Sequence, residues 1–202
     1  MLIKEIDKET KDDAINTIFH SFKKYPVIRY ILGDDSYNDE NVYELIRFFI
    51  ESRLIRGHEL LGIIENGKIV CAAGIDSPVD GPWPEELDKL FNNLQEKIGS
   101  RSINRLKSYE KLISEILPDR DFHYLGFIGV HPDYQGKGYA KTLISEITRR
   151  ISECNLSNEL VLNTEDYENV GIYNYLGFDL IGSAPIDNMT TWCMNKLIIN
   201  EK

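Results

Sequence analysis

The sequence predicts an α/β (α+β) fold with one central mixed, mostly antiparallel sheet flanked by helices, and three observations carry that prediction. Two apolar runs meet at Asn66-Gly67, the strongest short signal for a tight antiparallel hairpin. Between residues 122 and 164 an apolar strand, an amphipathic helix and a second apolar strand follow in turn, the order of a βαβ crossover. A last pair of strand-like segments closes the chain. At 202 residues the polypeptide can bury a core without covalent staples, so 1–202 reads as a single domain with a helical insertion at approximately 82–117.

"LIKEI" alternates apolar and polar residues and reads as an edge strand. "KDDAINTIFHSFKKY" spaces Ala14, Ile15, Ile18, Phe19 and Phe22 along one helical face, and Pro26 ends that helix. A second helix is expected over about 40–56, with Val42, Leu45, Ile46, Phe49 and Ile50 inward and Gly57 as its stop. "HELLGIIE" and "KIVCAAGID" are the hairpin strands. "SPVDGPWPEELDKLFNNLQEKIGSRSINRLKSYEKLISEILPDRD" opens on prolines, then becomes amphipathic and helical with a break at Gly99-Ser100. Such an insertion either walls a binding site or covers a sheet face. "DFHYLGFIGV" is a strand, 137–154 a helix, "ELVLNT" a strand and 169–176 a short helix, and "FDLIGSAPI" pairs with "MTTWCMNKLII".

A net charge of −10 with scattered acidic residues opposes generic binding of a phosphate backbone, so nucleic acid is not an expected partner. Cys71, Cys154 and Cys193 are far apart, with no CxxC and no His at metal spacing; buried thiols are expected, and no metal. The first residues lack an apolar signal core, and no run reaches the roughly 18 apolar residues of a membrane span. The expectation is a cytoplasmic protein with no membrane partner.

The stretch "GVHPDYQGKGYAKTLISEI" carries the chemistry. A triphosphate P-loop needs four residues between its first glycine and Gly-Lys-Ser/Thr, and Gly136-Lys137-Gly138 leaves no such circle. A dinucleotide fingerprint needs a third glycine where this chain has Lys141. What remains is a loop whose N–H groups can face one compact diphosphate at a helix N-terminus, with Gly136 and Gly138 allowing close approach and Lys137 able to add a point charge. Ala140, Leu143, Ile144, Ile147 and Ile151 form the stripe that anchors the helix.

"IGVHPDYQGKGYAKTLI" resembles motif A of the GNAT superfamily of acyl-CoA-dependent N-acetyltransferases: an apolar strand, V-x-P, then Q/R-x-x-G-x-G/A opening a helix, with Gln135, Gly138 and Ala140 in the signature positions. "ENVGIYNYLGFDLIG" resembles motif B, with Tyr173 four residues before Gly177-Phe178. The resemblance covers roughly 122–182 and implies a GNAT-like sheet and acetyl-CoA (coenzyme A) as co-substrate. It implies a diphosphate site at Gln135, Gly136, Lys137, Gly138, Tyr139 and Ala140, and a pantetheine arm laid along the backbone of Ile128, Gly129 and Val130. It makes Tyr173 the general acid, and Asn169 either a cofactor contact or a helix cap.

The general base stays open among His123, Glu165 and Asp166, because the resemblance leads one to expect a Glu near position 163, where this chain has Asn163. Trp83 either lines the acceptor site or plugs the core. The function expected is direct transfer, in a ternary complex, of an acetyl group to a primary amine of a small molecule or peptide, since the sequence signals no Cys or Ser nucleophile beside a plausible catalytic His. The alternative is a non-catalytic acyl-CoA-binding sensor. A homodimer is neither implied nor excluded.

Overall fold

The computed structural model describes residues 2–79, 81 and 83–199, so Pro82, where the predicted insertion begins, lies outside the described residues. Its strands are β1 (Leu2–Glu5), β2 (Glu59–Glu65), β3 (Lys68–Asp76), β4 (His123–Val130), β5 (Glu159–Thr164), β6 (Asp179–Ile186) and β7 (Met189–Leu197). Its helices are α1 (Lys11–Phe22), α2 (Pro26–Ser36), α3 (Asp39–Arg56), α4 (Glu85–Ile116), α5 (Tyr139–Cys154) and α6 (Tyr167–Tyr175). One sheet in the order β1-β2-β3-β4-β5-β7-β6 holds all seven strands. Every neighbouring pair is antiparallel except β4 and β5, which run parallel across the α5 crossover.

Local chemistry accounts for the element ends. Asn66 and Gly67 both take positive φ, 52° and 78°, the two-residue turn whose twist matches its strands. The Asn38 side chain accepts from the Asn41 N–H to start α3, and Gly57 at φ 72° ends it. Along α3 it is Phe48 that is buried, while Phe49, expected inward, is only half-buried.

Pro26 does more than end α1. It occupies the first turn of α2, a helix absent from the sequence reading, and holds Tyr25 extended (φ −68°, ψ 141°), as a residue before proline must be. Helix α2 breaks at Gly33 (φ 62°, ψ 171°), and the broken end meets α4, itself interrupted at Gly99 (φ 79°, ψ 159°). Arg105 of α4 donates to the carbonyls of Ile31 (2.8 Å) and Leu32 (2.5 Å), capping the acceptors that the break leaves open.

The sheet separates two cores. Helices α1 to α4 cover the first face through residues such as Ile15, Ile18, Leu32, Leu45 and Leu106. On the second face α5 buries Leu143, Ile144, Ile147 and Ile151 against Leu61, Ile63 and Leu160. At roughly 1.5–3 kcal/mol for each such side chain, α5 is firmly seated, and its N-terminus is fixed with it. Gly129 allows the closest approach of α1 to β4: a Cβ there would sit 2.8 Å from both Ile18 Cδ1 and Ser21 Oγ. Cys71 and Cys193 are buried as expected, but Cys154, at the end of α5, is exposed. Among the described residues no helix is long and apolar enough to cross a membrane.

Candidate active site

Strands β4 and β5 pair only at His123–Leu160 and Tyr124–Val161; beyond Tyr124 they part, while β4 stays paired to β3 as far as Val130. The edge of β4 from 125 to 130 therefore faces a cleft. Val130 marks its orientation, because its carbonyl turns away from β3 to accept from Ser21 Oγ at 2.8 Å and from Gln135 Nε2 at 3.4 Å. In a strand the N–H and C=O of one residue share an edge, so the Val130 amide points the same way, and that of Ile128 with it. The cleft opens into a cavity of about 920 Å³.

At one mouth of this cavity stand Gln135, Gly136, Gly138, Tyr139 and Ala140. Gly136 and Gly138 adopt φ of 76° and 78°, and a Cβ on either would meet nothing within 4 Å, so the loop presents bare backbone to open space. The first-turn amides of α5 lack partners within the helix, and its dipole adds partial positive charge. A diphosphate fits this end. Lys137 is not among the lining residues: its ammonium pairs with Glu65 at 3.4 Å and lies over the Tyr134 ring. Lys141, the residue that spoils the dinucleotide pattern, lines the cavity instead, with its Nζ 5.2 Å from the centre of the Tyr175 ring.

Deeper in, a polar network surrounds Glu165. Its Oε1 accepts from Tyr109 (2.6 Å), Asn163 Nδ2 (2.7 Å) and Thr191 (2.8 Å), and its N–H donates to Tyr25 Oη at 3.1 Å. Tyr124 donates to the Asn163 side-chain oxygen, and Tyr25 shares a hydrogen bond with Thr164 at 2.7 Å. Burial pushes the Glu165 carboxyl above the usual carboxylate range, with the three donors countering it. Tyr173 lines the same cavity, edge-on to Phe178 at 5.6 Å, and burial, with Tyr25 and Glu165 nearby, holds its phenol protonated.

Of the remaining candidates, Asp166, Asn169 and Trp83 also line the cavity and His123 does not. His123 is buried against Cys154, with Nε2 3.5 Å from the sulfur, and is not among the residues lining the cavity. Its displacement has a backbone cause. The register between β3 and β4 slips between Gly74 and Ile75, so Gly126 is an extra residue and both it and Phe127 face Arg53. Unbroken alternation would put His123 on the face of Phe127 and Gly129; the bulge turns it to the α5 side. Asp166 caps α6 by accepting from the Glu168 N–H at 3.0 Å. Asn169 lines the cavity and donates to Thr164 at 3.2 Å. Trp83 sits exposed at the rim, its indole N–H on Asp88 at 2.8 Å. The sequence reading passed over Ser21, Tyr109 and Tyr124, on α1, α4 and β4, and Tyr25, in the connection between α1 and α2. Only the proline after Tyr25 offered a local signal.

The family described as "Acetyltransferase (GNAT) domain" matches residues 85–195. Among solved structures, one described as a histone acetyltransferase and related acetyltransferase from Corynebacterium glutamicum aligns over 98% of this chain and 96% of its own, with 16% identity and a TM-score of 0.72. Arylalkylamine N-acetyltransferase 2 from Aedes aegypti aligns over 98% and 99%, with 18% identity and a TM-score of 0.68. A putative acetyltransferase from Salmonella typhimurium, solved with its cofactor acetyl-CoA, aligns over 100% and 96%, with 17% identity and a TM-score of 0.55. At these identities the structures speak for the fold. The family match spans more than half the chain, and the protein belongs to the GNAT acetyltransferase family.

Proposed function

We propose that the protein is an N-acetyltransferase that moves an acetyl group from acetyl-CoA directly to a primary amine while both are bound. The observation that carries this reading is the meeting of three features in one cavity: the bare glycine loop, the free edge of β4, and the Glu165–Tyr173 pair. The donor brings the activated acyl group and a thiolate that departs.

The amides of 135–140 would hold the diphosphate, and the edge of β4 at Ile128, Gly129 and Val130 would hold the arm that follows it. An N–H of that edge would polarise the thioester carbonyl. Glu165, directly or through a water, takes the proton that the substrate ammonium must lose. The new N–C bond forms as the C–S bond breaks; Tyr173 gives its proton to the sulfur, and the second proton shed by the nitrogen returns to the phenolate, directly or through a water. A phenol held well above neutrality is charged with that proton at working pH.

Release of free thiol from acetyl-CoA, followed across amines, polyamines, aminoglycosides and peptides, tests turnover, and intersecting rather than parallel double-reciprocal plots test direct transfer. Tyr173→Phe should lower kcat by about 10²-fold or more and leave the dissociation constant for acetyl-CoA within about twofold. A collapse of donor affinity in that variant would remove Tyr173 from the role of acid.

A further inference from the structure

Beyond Tyr173 and Glu165 the cavity runs on beneath α2, α3 and α4, where its walls include Phe22, Ile31, Phe48, Phe49, Leu106 and Phe127. Helix α4 roofs this end. It is fastened to α2 by Arg105 and to the catalytic network by the hydrogen bond from Tyr109 to Glu165. A roofed chamber with aromatic and aliphatic walls suits a compact apolar body better than an extended chain, whose backbone groups need partners that such walls do not provide.

Charge at this end is nearly all spent. Arg53 grips Asp76 through two contacts of 2.8 and 2.9 Å, and Arg56, which also lines the cavity, is already partnered. Lys107, on the outside of α4, lies over the Phe91 ring at 5.4 Å. Glu110 is the exception. It lines the cavity one residue beyond Tyr109, is exposed, and among the described residues makes no hydrogen bond and no ion pair within 4.0 Å. Partial desolvation at the cavity wall lifts its carboxyl above the usual range, with Lys107 and Arg53 acting against that lift.

We propose that the acceptor is a small amine with a single cationic centre and an apolar, aromatic or branched-alkyl body, and that Glu110 draws its ammonium group into the chamber. The proposal rests on the acetyltransferase reading above and narrows it. The apolar body lies against Phe48, Phe49 and Phe127, which orients the nitrogen toward Glu165 and the cleft. Past Glu110 the walls are apolar, and a second positive charge along the body would have to be desolvated among aromatic rings, which disfavours polyamines. Glu110 is thus a specificity-determining residue, separate from the base.

The test compares initial rates of thiol release with 2-phenylethylamine, spermidine, a neutral tripeptide with a free amino terminus, and glutamate. Phenylethylamine should exceed each of the others in kcat/KM by at least about tenfold, the usual worth of a matched apolar wall. Glu110→Gln, nearly isosteric, should raise KM for phenylethylamine about tenfold with a far smaller change in kcat, as expected when a charge-assisted contact to the substrate is lost. Calorimetric titration of phenylethylamine into the complex with coenzyme A supplies a readout independent of turnover. Glu110-dependent binding without thiol release from any amine would sustain the acceptor assignment and defeat the transferase reading. Preference for spermidine or the peptide, an unchanged KM in Glu110→Gln, or no binding of phenylethylamine would overturn the assignment, whatever the fate of the transferase reading.

Discussion

As the proposed base, Glu165 would pull activity and stability in opposite directions. Burial favours its neutral form, so its folded-state pKa lies above that of the unfolded chain. The stabilisation linked to that proton is present at low pH and is lost as pH rises through the raised value. A base needs the other form, so kcat/KM should fall on the acid side at a higher pH than an ordinary carboxylate would give. Glu165→Gln keeps a side-chain acceptor for Tyr109, Asn163 and Thr191 but carries no charge. It should lose about 10²–10⁴-fold in kcat/KM. Its denaturation midpoint near pH 8 should equal or exceed that of the parent, the difference closing below about pH 4 where both side chains are neutral. A variant clearly less stable at pH 8 would show that the network depends on the charge. The sequence left Glu165 level with Asp166 and His123, because nothing in a linear pattern reports which carboxylate caps a helix and which turns inward. Asn163, read as a departure, bridges Tyr124 to Glu165, so the acid expected near that position stands two residues further on, on the same face of the chain.

The elements whose residues contain their own instructions were legible: the Asn66-Gly67 hairpin, the stop at Gly57, the break at Gly99, the bounds of β5 and the glycine loop before α5. Two features were not. Pro26 can end one helix or begin the next, and with α2 cut at Gly33 too few turns remained for a periodic signal to decide. The extra residue at Gly126 leaves no mark in hydropathy, yet it moves His123 from one side of the sheet to the other. At the loop, the left-handed backbone of Gly138 and the open space beyond it predict that Gly138→Val will weaken coenzyme A binding by about 100-fold or more in calorimetry, since the added branch would enter the proposed diphosphate site. Parent-like affinity in that variant would move the anion to another part of the cleft.

Across the molecule, the second half follows a recognisable plan, whereas the first half builds the proposed acceptor chamber through contacts between distant segments. Arg105 and Gly33 are the clearest case: a Cβ at Gly33 would lie 2.6 Å from the Arg105 guanidinium, so the break in α2 and the arm of α4 require each other. Arg105→Ala should cost about 1–3 kcal/mol by stranding the Ile31 and Leu32 carbonyls, a fall of several degrees in Tm for a chain of this size, with coenzyme A affinity unchanged. An unchanged Tm would mean that water caps the break equally well. The narrow join between β4 and β5 bears on the protein in another way. Four strands form one plate and three the other, stitched at His123 and Tyr124, so a molecule lodged between them works as a rivet. The weakest seam of the sheet runs through its working centre, and emptying that centre loosens the framework that shapes it.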